Sequence, residues 1–353
     1  MIMNLNIKNL NWKEFYIGKI FQIYSTSSSI DKNKLNGQSG NIPYITRTDN
    51  NNGYDTFVGV QDERYTLDKK NVITIGLDTQ TVFYQKVPFY TGQNIQILES
   101  AKLNEYNAKF IITLLKKQME KFNWGGNGAT LTRLKKTKIL LPVNDFDEPD
   151  YDFMAGYIKQ LENSKYNEYV NYIKTKLQNI GYVEKPVSLK DKHWKEFFIE
   201  DVANIISGQD IYESERIKGS IPYITATANN NGIGYFVGNS NFTLEKNCLS
   251  VNRNGSVGYT FYHHYKALYS NDCRKLRLKY GINRYIGLFI SIQITKQKDK
   301  YGYGYKMGTG RLKRQKIMLP INLDGTPDYG YMENYTKYLE YTKLQQYLAL
   351  KSR

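Results

Sequence analysis

Residues 42–59 of this 353-residue chain, IPYITRTDNNNGYDTFVG, return at 221–238 as IPYITATANNNGIGYFVG. The copy extends in both directions. NWKEFYIGKIF at 11–21 returns as HWKEFFIEDVA at 193–203, and YTLDKKN at 65–71 returns as FTLEKN at 242–247. LKKTKILLPVN at 134–144 returns as LKRQKIMLPIN at 312–322, and PDYDFMAGYIKQLE at 149–162 as PDYGYMENYTKYLE at 327–340. Repetition over so long a period constrains the fold more than any local motif, because each copy must bury the same core in the same way. The chain is a tandem duplication with halves of about 175 residues, and offsets of 182, 179, 176 and 178 along it place the length changes in loops.

Each half has two parts. The first reads as short strands with turn signals: IPYIT and TFVGV around the Asn-Asn-Asn-Gly turn, then VITIG, TVFYQ and IQILE. A helix is embedded in it, because NAKFIITLLKKQMEKF at 107–122 spaces Phe110, Ile111, Leu114, Leu115 and Met119 along one face, with YIGLFISIQI as its counterpart. A Gly-rich loop follows, WGGNGAT at 124–130 and YGYGYKMGTG at 301–310, before a strand ending in Leu-Pro. The second part is a longer helix after Pro149-Asp150. Met154, Ile158 and Leu161, then Tyr166, Val170, Ile173, Leu177 and Ile180, carry a coiled-coil spacing with a stutter between the two groups. Gly181 stops the helix, with Pro186 beyond. Met332, Leu339, Leu344 and Leu348 repeat the pattern in the second half. The expected fold is α+β: two mixed α/β domains in tandem, each followed by a long helix, with the two helices packed as an antiparallel coiled-coil pair.

Lys plus Arg outnumber Asp plus Glu by 49 to 33, a formal charge of +16, which favours a polyanionic partner, nucleic acid first. A solvated basic surface is the alternative on charge alone. No apolar run approaches the roughly 18 residues of a membrane span, and MIMNLNIKNLNWKEF lacks the apolar core of a signal peptide, so a cytoplasmic location is expected. Cys248 and Cys273 fit a reducing compartment, with neither a disulfide framework nor a zinc site.

Two variable α+β domains alternating with two similar helices, each domain carrying IPYIT…NNNG…FVG and ending in the KI-LP strand, resemble the specificity subunits of bacterial restriction-modification systems. The likeness is to type I subunits, and the PDY segments with their short helices look closest to the BcgI-like type IIB subunits. The resemblance implies target-recognition domains at 1–148 and 184–326, a spacer helix with linker at 149–183, and a second spacer helix at 327–353. It implies that each domain reads one half of a bipartite site in double-stranded DNA while the helices set the gap. Adenine methylation and cleavage would belong to methyltransferase or fused restriction-modification subunits, using S-adenosylmethionine and Mg; this chain would hold no cofactor, no metal and no catalytic residue. The matched residues of the repeat would then build two equal scaffolds, and the unmatched ones, Arg47/Ala226 and Asp49/Ala228 among them, would read two different half-sites. Neutral drift after an old duplication is the alternative source of such differences.

Base reading needs forked or paired donors and acceptors, Arg for guanine and Asn or Gln for adenine, with Thr and Ser adaptable. In the first half Thr46, Arg47, Thr48 and Asn50 follow a strand, and Asp78, Thr79 and Gln80 occupy the next turn. In the second half Thr225, Thr227 and Asn229 correspond to the first set, and Asn252, Arg253, Asn254 and Ser256 lie near the second. Asn254-Gly255 would form a surface turn without any such role. Phosphate contacts are expected from Lys135, Lys136, Lys138, Arg311, Lys313 and Arg314 beside the Gly-rich loops, or these lysines and arginines merely solvate a strand end. Tyr44/Tyr223 and Tyr84/Tyr262 are expected in the core.

A stand-alone methyltransferase or nuclease is the rival reading. NIPY at 41–44 resembles the loop that holds a flipped adenine, but its duplicate is SIPY and no Gly-rich S-adenosylmethionine turn precedes either copy. Pro149-Asp150 and Pro327-Asp328 resemble the start of a nuclease motif without its later acidic and lysine residues; an Asp at a helix N-terminus explains both. His193 replaces Asn11 in the repeat, and His263-His264 has no second ligand cluster. A further alternative is a DNA-binding protein or antirestriction decoy that works without an enzyme.

Overall fold

Three consecutive left-handed residues fix the turn at the centre of each half: Asn51, Asn52 and Gly53 at φ 49°, 57° and 80°, and Asn230, Asn231 and Gly232 at 49°, 55° and 77°. Asn and Gly tolerate this region best, which is why the Asn-Asn-Gly string is common to both copies. These values come from a computed structural model, which describes residues 7, 10–122, 128–302 and 304–351. By its internal contacts the chain divides into two units, Met1–Tyr169 and Val170–Arg353.

The first unit runs β1 (Trp12–Tyr16), α1 (Ile17–Ile20), β2 (Gln22–Ser25), β3 (Ile42–Ile45), β4 (Tyr54–Val58), β5 (Val72–Gly76), β6 (Val82–Gln85), β7 (Tyr90–Thr91) and β8 (Ile95–Glu99). Then come α2 (Glu105–Met119), α3 (Leu131–Lys136), β9 (Lys138–Pro142) and α4 (Tyr151–Ile180). The second half repeats this as β10 (Trp194–Phe198), α5 (Ile199–Val202), β11 (Ala203–Ser207), β12 (Lys218–Ile224), β13 (Ile233–Val237), β14 (Cys248–Asn252) and β15 (Thr260–His263). It continues through β16 (Leu268–Tyr269), β17 (Cys273–Leu278), α6 (Arg284–Thr295), α7 (Thr309–Lys313), β18 (Lys316–Pro320) and α8 (Tyr329–Lys351).

Each half builds the same three sheets: β2-β8-β5-β6, β4-β3-β7 and β1-β9 in the first, β11-β17-β14-β15, β13-β12-β16 and β10-β18 in the second. VITIG is buried along its whole length because β5 is interior to its sheet, so an unbroken apolar run is what that position demands. Phe110, Ile111, Leu115 and Met119 of α2 are buried against that sheet's core. Asn104 caps α2, accepting from the Tyr106 and Asn107 amides at 3.0 Å, and Asn283 caps α6 in the same way. Asp150 and Asp328 cap α4 and α8, accepting from Phe153 N and Tyr331 N at 2.8 Å.

Two pairings join segments far apart in sequence. β1 lies antiparallel to β9, Trp12 opposite Pro142, so each domain closes on its own first and last strands. β3 pairs parallel with the two-residue β7. Both copies of the first strand pairing with the turn, β3 with β4 and β12 with β13, carry a register shift at the same place, Tyr44/Ile45 and Tyr223/Ile224. Such a bulge redirects the chain that follows, here residues 46–50 and 225–229.

The first turns of α4 pack within the first unit: Met154 is fully buried, Tyr157 meets Phe110 edge-on, and Glu162 pairs with Lys109 at 2.7 Å. Its last turns belong to the second unit, where Ile173 is buried, Lys176 pairs with Glu340 of α8 at 2.5 Å, and Tyr182 meets Tyr341 edge-on. Between them residues 161–169 are exposed, Leu161 and Tyr166 included, so the stutter coincides with a stretch whose apolar spacing is not buried. Gly181 at φ 70° ends the helix. Among the described residues no helix is long and apolar enough to cross a membrane.

Candidate nucleic-acid interface

Three loops converge in the first unit: residues 46–50 after β3, the β5–β6 turn at 77–80, and the turn before β8 at 92–94. Gly92 N donates to Ile45 O at 2.8 Å and Leu77 N to Asn94 O at 2.9 Å, so the backbone ties them together. Thr46 Oγ1 accepts from Thr48 N at 3.4 Å and Thr48 Oγ1 from Asn50 N at 3.3 Å, which stiffens the first loop. Arg47 reaches across it to form an ion pair from Nη1 to Asp78 Oδ2. Asn94 Nδ2 donates to the same oxygen at 3.2 Å. Thr79 is exposed at the tip. Gln80, at φ 54°, turns inward and donates to Leu77 O and Asp78 O at 3.2 and 3.0 Å. The end of the Gly-rich loop supports this cluster, with Ala129 N donating to Leu77 O at 3.3 Å. Residues 123–127 of that loop lie outside the described residues.

The second unit assembles the same loops with different side chains. Ser256 N donates to Ala226 O at 3.1 Å, and Arg253 N to Asp272 O at 2.8 Å. Thr227 Oγ1 accepts from Asn229 N at 3.2 Å. Asn254 Nδ2 donates to Asp272 Oδ1. Arg253 Nε and Asn254 Oδ1 are buried atoms with no protein partner. Strand register makes the two clusters comparable: Gly76 of β5 sits opposite Ile95 of β8, and Asn252 of β14 opposite Cys273 of β17. Asp78 and Asn254 thus stand at one equivalent position, and Asn94 and Asp272 at another. The carboxylate and the amide have exchanged sides while keeping their hydrogen bond, and only the first unit adds an arginine from the loop between its IPYI strand and the NNNG turn.

Each unit also carries a basic groove at the end of its β1-β9 or β10-β18 pair. In the first unit it encloses about 620 Å³ and is lined by Gln118, Lys121, Arg133, Lys136 and Lys138; in the second it encloses about 450 Å³ and is lined by Gln297, Lys300, Arg314 and Lys316. Lys138 and Lys316 are held at 2.9 and 2.8 Å by Glu14 and Glu196 of the paired strands.

The family model for the Type I restriction modification DNA specificity domain matches residues 9–171 and again 191–351. The chain belongs to that family. The specificity subunit of the type II restriction enzyme BcgI, from Heyndrickxia coagulans, is 38% identical over 334 residues, covering 94% of this chain and 95% of that one. The crystal structure of a type I restriction-modification S subunit from M. genitalium superposes with a TM-score of 0.60 at 18% identity, covering 99% of this chain and 94% of that chain, which shows a shared fold.

Seen as a specificity-domain protein, its candidate residues separate into groups. Thr46, Arg47, Thr48, Asn50, Asp78 and Thr79 come together on one surface. Thr227, Asn229, Arg253, Asn254 and Ser256 do so in the second unit. Asn252 is fully buried, its amide donating to Thr227 O at 2.9 Å and its Oδ1 accepting from Cys273 Sγ, so it buttresses the loop and offers no edge to a base. Gln80 is likewise spent on its own turn. Thr225 is half-buried and packs on Gly234, where an added Cβ would lie 2.5 Å from its Oγ1. Lys135 and Lys136 sit in the last turn of α3, and Arg311 and Lys313 in that of α7; they are exposed, and they lie on short helices and not on a strand end, the alternative position the sequence offers. Arg311 stacks over Tyr305 at 4.0 Å and donates to Lys306 O at 2.8 Å. Arg133 donates to Gly128 O at 3.0 Å in the equivalent place.

Arg133, Lys121, Lys300, Asn94 and Asp272 escape a reading of the sequence alone. Arg133 and Arg311 are aligned by the repeat one residue before its LKK and LKR segments, a signal that was available. Asn94 and Asp272 show only through strand register.

The tyrosines of NIPY and SIPY and the two cysteines are part of the scaffold. Tyr44 is buried, its hydroxyl donating to Ile30 O at 2.6 Å, and Tyr223 accepts from Ile211 N at 2.9 Å. Tyr84 and Tyr262 donate to Asn71 and Asn247 at 2.9 and 3.1 Å; Tyr262 is buried and Tyr84 half-buried. Burial pushes the thiols of Cys248 and Cys273 up to about 11 and about 12, so both are protonated at neutral pH. Among the described residues no three His, Cys, Asp or Glu side chains converge as a metal site.

Proposed function

We propose that this chain is the non-catalytic DNA specificity subunit of a restriction-modification complex, in which each domain reads one half of a bipartite site. The observation that carries this is the contrast between the two loop clusters: the same strands, turns and bulges present Arg47, Asp78 and Asn94 in one half and Ala226, Asn254 and Asp272 in the other. A scaffold kept constant while the presented donors and acceptors change is what two different half-sites require. The basic grooves, alike in both halves, suit the phosphate backbone, which is alike everywhere. Adenine methylation with S-adenosylmethionine, and Mg-dependent cleavage, are assigned to partner subunits, and α4 and α8 to setting the gap.

Purified alone, the chain should bind duplex DNA but neither methylate nor cut it, and it should co-purify with a methyltransferase-containing subunit that gives the complex its activity. Methyl transfer or cleavage by the isolated chain, abolished by Tyr44→Phe or Asp150→Asn, would refute the assignment. Active binding with no enzyme partner would instead favour a decoy.

Replacing Lys135 and Lys136 by alanine should weaken binding to all sequences alike and lower the slope of log affinity against log salt by about 2, one unit per lost phosphate contact. Filter binding over a salt series measures it; an unchanged slope would place these lysines off the backbone.

A further inference from the structure

Arg47 is braced in a way that decides between its two possible targets on DNA. Its side chain is 43% exposed while that of Asp78, to which it is paired, is 17% exposed, so the acid is largely covered and the arginine side chain is the more open partner. Asp78 is itself held by Asn94 Nδ2, and the turn that carries it is closed by Gln80. For a phosphate contact this arrangement is counterproductive, because the carboxylate cancels the arginine's charge and repels the phosphate. For a base it is favourable. A guanidinium has five N–H groups in one plane, so an arginine held by a carboxylate at Nη1 keeps further coplanar donors, and two such donors match O6 and N7 of guanine in the major groove. Bracing also removes rotamer freedom before the base arrives.

The second unit lacks each part of the device. Ala226 replaces Arg47, Asn254 replaces Asp78, and the local acid has moved to Asp272, where it bonds Asn254. We infer that Arg47, braced by Asp78, reads a guanine in the half-site contacted by the first domain, and that this contact is absent from the second half-site. The inference rests on the chain reading DNA as proposed above.

Selection from randomised DNA duplexes by the chain purified with its partner subunits tests it. The wild type should select a G·C pair at one position of the first half-site. Arg47→Ala should reduce the preference there about tenfold or more, leaving the second half-site and the other selected positions unchanged. Arg47→Lys should lose the same preference, since it keeps the charge without the fork, and Asp78→Asn should weaken it at the same position by a smaller factor. A first half-site without a G·C pair would overturn the inference, as would Arg47→Lys selecting like the wild type, the behaviour of a phosphate contact. If all three variants abolish selection everywhere, Arg47 is structural and the inference is wrong. A wild-type complex that selects no motif at all would instead remove the reading on which the inference stands.

Discussion

Between pH 7 and pH 4 the second domain is expected to lose roughly 3 kcal/mol of stability through the single residue His263. His263 lies on β15 opposite Cys248, is fully buried, and bonds Ser250 through Nε2 at 2.8 Å and Tyr265 through Nδ1 at 3.2 Å. Burial, with a smaller push from His264, lowers its pKa to about 3. The folded domain therefore keeps the ring neutral where the unfolded chain would protonate it, below about 6.5. Stability is complete above that value and is lost progressively as pH falls toward 3. The first domain has no such liability, because Gln85 occupies the equivalent place opposite Val72 and donates to Thr74 at 3.0 Å. The pair His263→Gln with Ser250→Thr recreates that arrangement. Urea unfolding at pH 7 and pH 4, followed at Trp194 with the other tryptophans changed to phenylalanine, should show the variant losing about 3 kcal/mol less than the parent. Equal losses would show that His263 is protonated in the folded state.

Inserting four residues at Asn163 should lengthen the preferred gap in the bipartite site by one or two base pairs without changing either half-site. Four residues add about 6 Å along a helix and turn it about 40° beyond a full revolution, while a base pair rises about 3.4 Å. The insertion falls in the exposed stretch 161–169, clear of the buried Met154 and Ala155 on one side and Ile173 on the other. Both ends of α4 therefore keep their partners, Lys109 for Glu162 and Glu340 for Lys176. Two residues would rotate those ends by about 200° relative to each other and should abolish activity instead of shifting the gap. The motif methylated in cells expressing each variant with its partner subunit reports the outcome. A four-residue variant that still acts on the original gap would show that α4 is no spacer.

What the sequence reveals and what it hides follow from the range of the forces involved. The NNNG turn, the β5 run, the face of α2 and the Asp caps are local: left-handed φ, period and capping leave residue-level signatures. Closure of each domain by β1 on β9 is not, because WKEFY and KILLP reveal nothing of each other until they pair. The reading surface behaves alike. Arg47 and Asp78 are both visible as candidates, yet the ion pair between them spans 31 residues and appears only when β3 and β5 are placed. Asn252 looks like a reader beside Arg253 and Asn254, but it ends a fully buried strand. The exchange of Asp78 and Asn94 for Asn254 and Asp272 is invisible without register, since Asp78 and Asn254 fall in loops of different length, 77–81 against 253–259.

The most direct measurement is the motif modified in cells that express this chain together with its partner subunits, read by methylation-sensitive sequencing. Two domains with equal scaffolds and unequal loop clusters predict a bipartite motif, two specified ends of different sequence separated by an unspecified gap of fixed length. A single uninterrupted motif, or a palindrome whose two ends are the same, would contradict it.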